Sequence, residues 1–229
     1  MEKKIFNLDS RIPIVGSPLN TIDKCRAYDA DIRTSMIIPM GRVVSLMQQH
    51  CKKFSNVLEV GCKTGLLSLQ LSGKVPNINV YGIEESDLLL QVAEENAMLA
   101  ALVSSSSIVE FQYSSLDSLN IENDSVDIVF SFSSFHTWRD PVKTLKECSR
   151  VCKTDGLVYI YDLARDAEQG MISFLMQYMN KGHEEFMSEI KAAYTLQEVT
   201  DILKEANLSH WEISSEAVNI AISSKKLTR

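Results

Sequence analysis

Glu59, Glu84 and His136 stand in this 229-residue sequence where their side chains could do chemistry. Glu59 lies in the apolar run Val57-Leu58-Glu59-Val60, which passes directly into Gly61-Cys62-Lys63-Thr64-Gly65. A carboxylate at that point draws a cationic ligand. The two glycines allow a tight turn that brings backbone N–H groups and a helix N-terminus up to the same ligand. Glu84 ends the next apolar run, Ile78-Asn79-Val80-Tyr81-Gly82-Ile83. One carboxylate there matches two neighbouring O–H donors, as on a ribose; an exposed glutamate opening the next helix fits the same pattern. His136 follows a fourth apolar run, in Phe132-Ser133-Ser134-Phe135-His136-Thr137-Trp138. Imidazole titrates near neutral pH, which suits a general base, and a histidine that merely shapes a pocket is the alternative.

The elements that must position these groups alternate between strand and helix patterns. Residues 57, 58 and 60 read as a buried parallel strand, and a helix from Thr64 onward carries Leu66, Leu67 and Leu71. Ile78–Glu84 is the second strand, and Ser86 N-caps a helix through Leu88, Leu89, Val92 and Ala93. A serine-rich turn at 104–107 precedes a third strand, Ile108–Tyr113. Ser125–Ser131 is the fourth. Asp140-Pro141 then opens a helix that buries Val142, Leu145, Cys148 and Cys152, and Leu157–Asp162 is the fifth strand. Thr195 and Glu198 have capping-box spacing before a helix whose buried face is Leu196, Val199, Leu203 and Ala206. Asn207 tolerates the left-handed cap, and Trp211–Ser215 and Val218–Ser223 complete the strands.

A dinucleotide-binding oxidoreductase would also place a glycine loop after its first strand. Glu59 argues against it, because a pyrophosphate brings negative charge to that spot. Two like charges ~4 Å apart at an effective dielectric of ~20 repel by about 4 kcal/mol. A cationic nucleoside is favoured instead.

Glu59, Gly61 and Gly65 resemble the first motif of the class I S-adenosylmethionine (SAM)-dependent methyltransferases. Ser125-Val126-Asp127-Ile128-Val129-Phe130 and Arg150-Val151-Cys152-Lys153-Thr154-Asp155-Gly156 resemble later motifs of that family, in the same order. The match runs motif by motif over about 56–162 and by pattern over 195–225, and is nearest to the small-molecule, quinone-biosynthesis-like branch. It implies an α/β fold with a Rossmann-like, seven-stranded, mostly parallel sheet whose last strand is antiparallel. It also implies SAM as cofactor and S-adenosylhomocysteine as product. By the resemblance, the cofactor would be held by Glu59, the loop Gly61, Cys62, Lys63 and Gly65, Glu84 with Glu85, Ser115 with Leu116, and Ser131. His136 is the candidate catalytic base. The family usually has Gly-Asp-Ala where this chain has Ser114-Ser115-Leu116, so a hydroxyl replaces the carboxylate that takes the adenine amine. Asp117 stands two residues out of register for that role.

Lys63 replaces the loop's middle glycine. Its ammonium either pairs with the cofactor's carboxylate, projects into solvent, or obstructs the loop and leaves a non-catalytic scaffold. The family often carries a Tyr-Asp pair in an upstream helix, and Tyr28-Asp29 matches it. Such a helix can lie over the cofactor, with Arg33 one turn on as a weaker partner for the methionine carboxylate. Residues 1–55, with helices over Asn20–Arg33 and Pro39–Lys52, read as a lead-in and lid to a methyltransferase domain at 56–229. About 165–194 is an insertion beyond the minimal fold. Its Met171, Phe174, Leu175, Met176, Tyr178, Met179, Phe186 and Met187 read as one or two helices over 168–192, capping the acceptor site, or else as ordinary core or a dimer surface.

Composition narrows the partners. Charged residues make up 23% and hydrophobic residues 45%, with a net charge of −7, which disfavours a nucleic-acid binder. A small-molecule acceptor, or a peptide, is expected. No apolar run approaches the ~18 residues of a membrane span, and the start lacks a signal-peptide core. The five cysteines form no Cys-x-x-Cys pair, so reduced thiols, no metal and a cytoplasmic location are expected.

Overall fold

The computed structural model describes residues 5–102, 106–179 and 182–227. Positions 104 and 105 of the serine-rich turn lie outside the described residues. Two helices come first, α1 (Ile22–Ser35) and α2 (Ile37–His50). Then follow β1 (Asn56–Val60), α3 (Leu66–Lys74), β2 (Asn79–Glu84), α4 (Asp87–Ala101), β3 (Ile108–Tyr113) and β4 (Val126–Phe132). A single 3-10 turn at Phe135–Thr137 leads to α5 (Pro141–Val151) and β5 (Cys152–Leu163). Beyond these lie α6 (Gln169–Gln177), α7 (His183–Ala192), α8 (Leu196–Glu205), β6 (Glu212–Glu216) and β7 (Asn219–Ser223).

The strands form one seven-stranded sheet in the order β3-β2-β1-β4-β5-β7-β6. β1 to β5 are mutually parallel, and β7 runs antiparallel between β5 and β6. Strand order reverses between β1 and β4, and open α/β sheets bind ligands at the strands' carboxyl edge beside such a reversal.

Alternation along each strand feeds two cores. Leu58, Val60, Val129, Val158 and Ile160 face one side with Leu145, Cys148, Val199 and Leu203 of α5 and α8. Val57, Val80, Ile128, Phe130 and Tyr159 face the other with Val43, Met47, Leu67 and Leu71 of α2 and α3. Val57, Leu58 and Val60 are wholly buried, each worth about 1.5–3 kcal/mol relative to exposure, so β1 is a well-anchored platform for the loop that follows it.

Several boundaries shift for local reasons. α2 begins at Ile37 rather than Pro39, because a first-turn proline lacks only an N–H that has no intrahelical partner. α3 begins at Leu66, after Gly65 has adopted a left-handed conformation (φ 72°). β5 starts five residues before Leu157, at Cys152. The 168–192 stretch contains two helices, and Asn207 is left-handed (φ 62°) as its type allows. A third core joins Leu8, Leu163, Ile172, Phe186, Ile190, Ala193 and Val218, so the N-terminal segment and the α6–α7 insertion pack together above the end of β5. Among the described residues no helix is long and apolar enough to cross a membrane.

Candidate active site

The parallel strands deliver Glu84, Ser115, Ser131, His136 and Asp162 to one edge, together with the loop after β1. Gly61 (φ 73°), Lys63 (φ 52°) and Gly65 (φ 72°) are all left-handed, which turns the chain sharply from β1 into α3. Lys63 therefore performs the turn through its backbone, in a conformation uncommon for residues with a Cβ.

Glu59 is 3% exposed and faces α3. Its Oε2 accepts the Ser68 backbone N–H at 3.0 Å and the Ser68 hydroxyl at 2.5 Å. Ser68 is the third residue of α3, whose N-cap, Gly65, has no side chain to offer. Glu59 thus caps α3 from an adjacent strand, where the sequence reading assigned it only a ligand. Burial pushes its carboxyl up to about 8, opposed by the two Ser68 bonds and reinforced by the Glu84 charge.

Glu84 is also buried. Its Oε2 accepts Lys63 N–H at 2.9 Å, and its Oε1 accepts Glu85 N–H at 2.9 Å and Ser86 N–H at 3.1 Å. A carboxylate offers about four lone-pair sites, so three are spent on backbone and one remains. Burial raises its pKa, and the three N–H donors pull against that rise.

Other candidates also find partners within the protein. Lys63 does not project freely into solvent: its ammonium lies 5.5 Å from the Tyr28 ring centre. Burial works against that ammonium, and Tyr28, Glu189 on α7 and Asp162 more than offset it. Arg33 is bound to Asp29 (2.8 Å) and Asn96 (2.7 Å), which removes it as a free carboxylate ligand. Asn96 in turn donates to Asp29 Oδ1 and to the Thr64 carbonyl, both at 2.9 Å, tying α1 to the glycine loop through α4. Ser115 donates to Asp117 (2.7 Å) and Glu85 (3.0 Å), so Asp117 engages Ser115 despite its register. Glu85 Oε1 also accepts Leu116 N–H at 3.0 Å. Ser131 is buried and donates to the Val60 carbonyl at 2.7 Å, joining β4 to the start of the loop.

The glycines make room for protein as well as turns. A Cβ on Gly65 would lie 2.3 Å from Phe111, and one on Gly82 would lie 2.4 Å from the same ring. A Cβ on Gly61 would lie 2.0 Å from Ser134 Oγ. Cys62, 4% exposed, turns its sulfur toward Gly82 rather than outward.

His136 and Asp162 form a pair that no local motif announces. His136 Nδ1 lies 2.8 Å from Asp162 Oδ1, and each side chain is 1% exposed. Asp162 also accepts His136 N–H at 2.8 Å and Leu163 N–H at 2.7 Å. Burial would raise the Asp162 pKa, but His136 and these bonds hold it below the usual range. Among the described residues, His136 Nε2 is the buried side-chain polar atom without a partner. Such an atom costs about 1–3 kcal/mol unless something else satisfies it. The only signal for Asp162 in the sequence is a charge ending the run Leu157-Val158-Tyr159-Ile160-Tyr161. Arg11 was missed altogether: its guanidinium donates to the His136 carbonyl (2.8 Å) and the Ala192 carbonyl (2.7 Å). Among the described residues no group of three His, Cys, Asp or Glu side chains could hold a metal ion.

The donor set fits a cationic sulfur nucleoside. Two acidic side chains stand beside the loop, the Glu84 charge helping to raise the Glu59 pKa, and Glu84 retains an acceptor site.

Residues 58–160 match the family model described as a methyltransferase domain. An uncharacterized methyltransferase of Schizosaccharomyces pombe is 32% identical over 114 residues, covering 49% of this chain and 41% of that protein. A ubiquinone biosynthesis O-methyltransferase of Nitrosospira multiformis is 25% identical over 170 residues, covering 72% of this chain and 66% of its own length. The chain thus spans less than two thirds of the length of these relatives. A putative SAM-dependent methyltransferase of Methanococcus maripaludis superposes with TM-score 0.71 at 18% identity, covering 95% of this chain and 98% of that one. Over residues 58–160 the chain is thus similar to methyltransferase domains, and its fold is similar to that of SAM-dependent methyltransferase structures.

Proposed function

We propose that the protein transfers a methyl group from SAM to a small or medium-sized acceptor. The observation that carries this reading is Glu84 at the end of β2, bonded to the Lys63 N–H of a left-handed glycine loop and electrostatically coupled to Glu59. When bound, SAM supplies an electrophilic methyl on a sulfonium. Glu84 offers its remaining acceptor site to a ribose hydroxyl, and Glu59 supplies negative charge beneath the loop once ionised. Cys62 and Ser131 hold the loop's shape from within, while Ser115, Leu116 and Glu85 form the edge for the base. Tyr28 on α1 and Glu189 on α7 meet at Lys63, which supports α1 as a lid and the insertion as a cap. The chain's main work is to align an acceptor and exclude water. His136 is the candidate base, and its replacement by alanine should lower turnover by more than a few-fold. The acceptor is a small molecule or a peptide; the O-methyltransferase likeness supports the former.

Calorimetric titration of the purified protein with SAM, S-adenosylhomocysteine and NAD tests the reading. Binding of the first two and not the third is expected. Absence of heat and of any thermal shift with SAM and S-adenosylhomocysteine would leave a non-catalytic scaffold, and binding of NAD alone would leave an oxidoreductase.

A further inference from the structure

We infer that Asp162 is the positioning residue that fixes His136 as the Nδ1–H tautomer, leaving Nε2 as the proton acceptor for an acceptor substrate bearing a hydroxyl. The inference rests on the methyl-transfer reading for its substrate and on geometry alone for its tautomer. Two independent observations carry it. The first is the 2.8 Å contact between Nδ1 and Asp162 Oδ1, made by two side chains sealed from solvent. A carboxylate accepts and does not donate, so the shared proton sits on Nδ1. The second is Nε2, buried and without a partner among the described residues.

Asp162 is itself held rigidly. Its Oδ2 receives the His136 backbone N–H and its Oδ1 the Leu163 N–H, so carboxylate, ring and 3-10 turn form one unit across β4 and β5. These strands are neighbours in register, with Phe132 opposite Tyr161. The elements packed around the turn bring few charges. Arg11 spends its guanidinium on the His136 carbonyl, Lys63 lies within electrostatic range of Asp162, and Glu189 on α7 faces Lys63. Asp162 is thus the carboxylate that contacts the ring directly.

This arrangement selects the acceptor's chemistry. A neutral amine attacks with its lone pair and can lose its proton to water afterwards. A hydroxyl needs its proton removed as it attacks. The O–H bond breaks with its proton passing to Nε2, the O–C bond forms, and the sulfonium S–C bond breaks with its electron pair staying on sulfur. His136 ends as an imidazolium whose Nδ1–H still faces the Asp162 carboxylate, and the oxygen ends as a neutral methyl ether.

The test joins a spectroscopic and a kinetic readout. In 15N-histidine-labelled protein, long-range proton–nitrogen correlation should show His136 with a protonated Nδ1 and a bare Nε2. Asp162→Asn should shift that equilibrium toward Nε2–H, and Asp162→Glu should restore part of it. A protonated Nε2 in the parent protein, or a spectrum unchanged by Asp162→Asn, would overturn the assignment, and neither readout needs an acceptor. With matched catechol and o-phenylenediamine probes, only the catechol should be methylated. Asp162→Asn should lower its kcat at least tenfold while leaving SAM affinity within twofold. Methylation of the diamine alone, or of neither probe by a protein that binds SAM, would overturn the hydroxyl assignment. Failure to bind SAM would instead sink the methyl-transfer reading and leave the tautomer result standing.

Discussion

Glu59 and Ser68 are joined twice: the Ser68 N–H and hydroxyl both end on Glu59 Oε2, at 3.0 and 2.5 Å, so the strand's carboxylate is also the cap of α3. The shared oxygen couples the fold to pH. In the unfolded chain Glu59 titrates near its ordinary value of 4.5, whereas burial lifts it to about 8 in the native state. Between those values the native state binds the extra proton, so its stability falls as pH rises through that window. Below 4.5 both states are protonated and the contribution is fully present. Urea-unfolding midpoints should therefore decline from pH 5 to pH 8 more steeply in the parent than in Glu59→Gln, whose amide oxygen still accepts from Ser68. Parallel profiles would remove Glu59 as the source. The same shift predicts that SAM binding at neutral pH releases a proton, read as a dependence of calorimetric heat on buffer ionisation enthalpy.

Asn96 is the second joint. It reaches Asp29, Arg33 and the Thr64 carbonyl and is 7% exposed, so α1 is bound to the glycine loop through one amide. Asn96→Ala leaves the Asp29 carboxylate and the Thr64 carbonyl short of a donor. A loss of about 1–3 kcal/mol is expected, the usual penalty for stranded buried polar groups. Hydrogen exchange should quicken over α1 and residues 61–65, with β4 and β5 unchanged. Uniform quickening would mean that α1 is not a separable lid.

Phe111 explains two glycines at once. A Cβ at Gly82 would stand 2.4 Å from its ring, nearer than real Cβ contacts come. Gly82→Ala should destabilise by about 1–3 kcal/mol through overpacking. Phe111→Leu in the same chain should recover at least half of that loss, because the clash is with a side chain rather than backbone. A double-mutant cycle of urea midpoints measures the coupling, and additive losses would place the strain elsewhere.

The alternating core was legible because its signals are local. Val57-Leu58-Glu59-Val60 before two glycines, Ser86 before an apolar face, and Asp140-Pro141 each carry their geometry within a few residues. The site was legible only at the strand ends. Glu59 and Glu84 could be placed because a strand's last residues point to the sheet's edge, yet Ser68 as a partner of Glu59 depends on a helix returning over the strand. The pairing of His136 with Asp162 crosses two strands, and Arg11 reaches the same turn from the N-terminal segment. The contact of Lys63 with Tyr28 was hidden for the same reason: α1 must dock before Tyr28 is there to receive its ammonium. Nothing in the neighbouring residues encodes such meetings. Sheet order does.

Glu85 offers a test of the proposed adenine edge. Its Oε1 takes both the Leu116 N–H and the Ser115 hydroxyl, the two groups that the family resemblance assigns to the base. A ring nitrogen that accepts from Leu116 must therefore compete with an internal carboxylate already in place. Charge-assisted bonds are stronger than neutral ones, so the competition favours the carboxylate and taxes the cofactor. Glu85 is exposed and its removal leaves the core intact. Glu85→Ala should then tighten SAM binding by up to about tenfold, about 1.4 kcal/mol, as read by calorimetry. If Glu85 instead turns to accept the adenine amine, supplying the carboxylate that position 115 lacks, the same substitution weakens binding. The 6-deamino (purine riboside) analogue of S-adenosylhomocysteine separates the two cases, since its ring has no exocyclic amine to donate and keeps its ring nitrogens as acceptors. Under competition Glu85→Ala improves its binding along with that of S-adenosylhomocysteine, whereas under direct contact it narrows the gap between them.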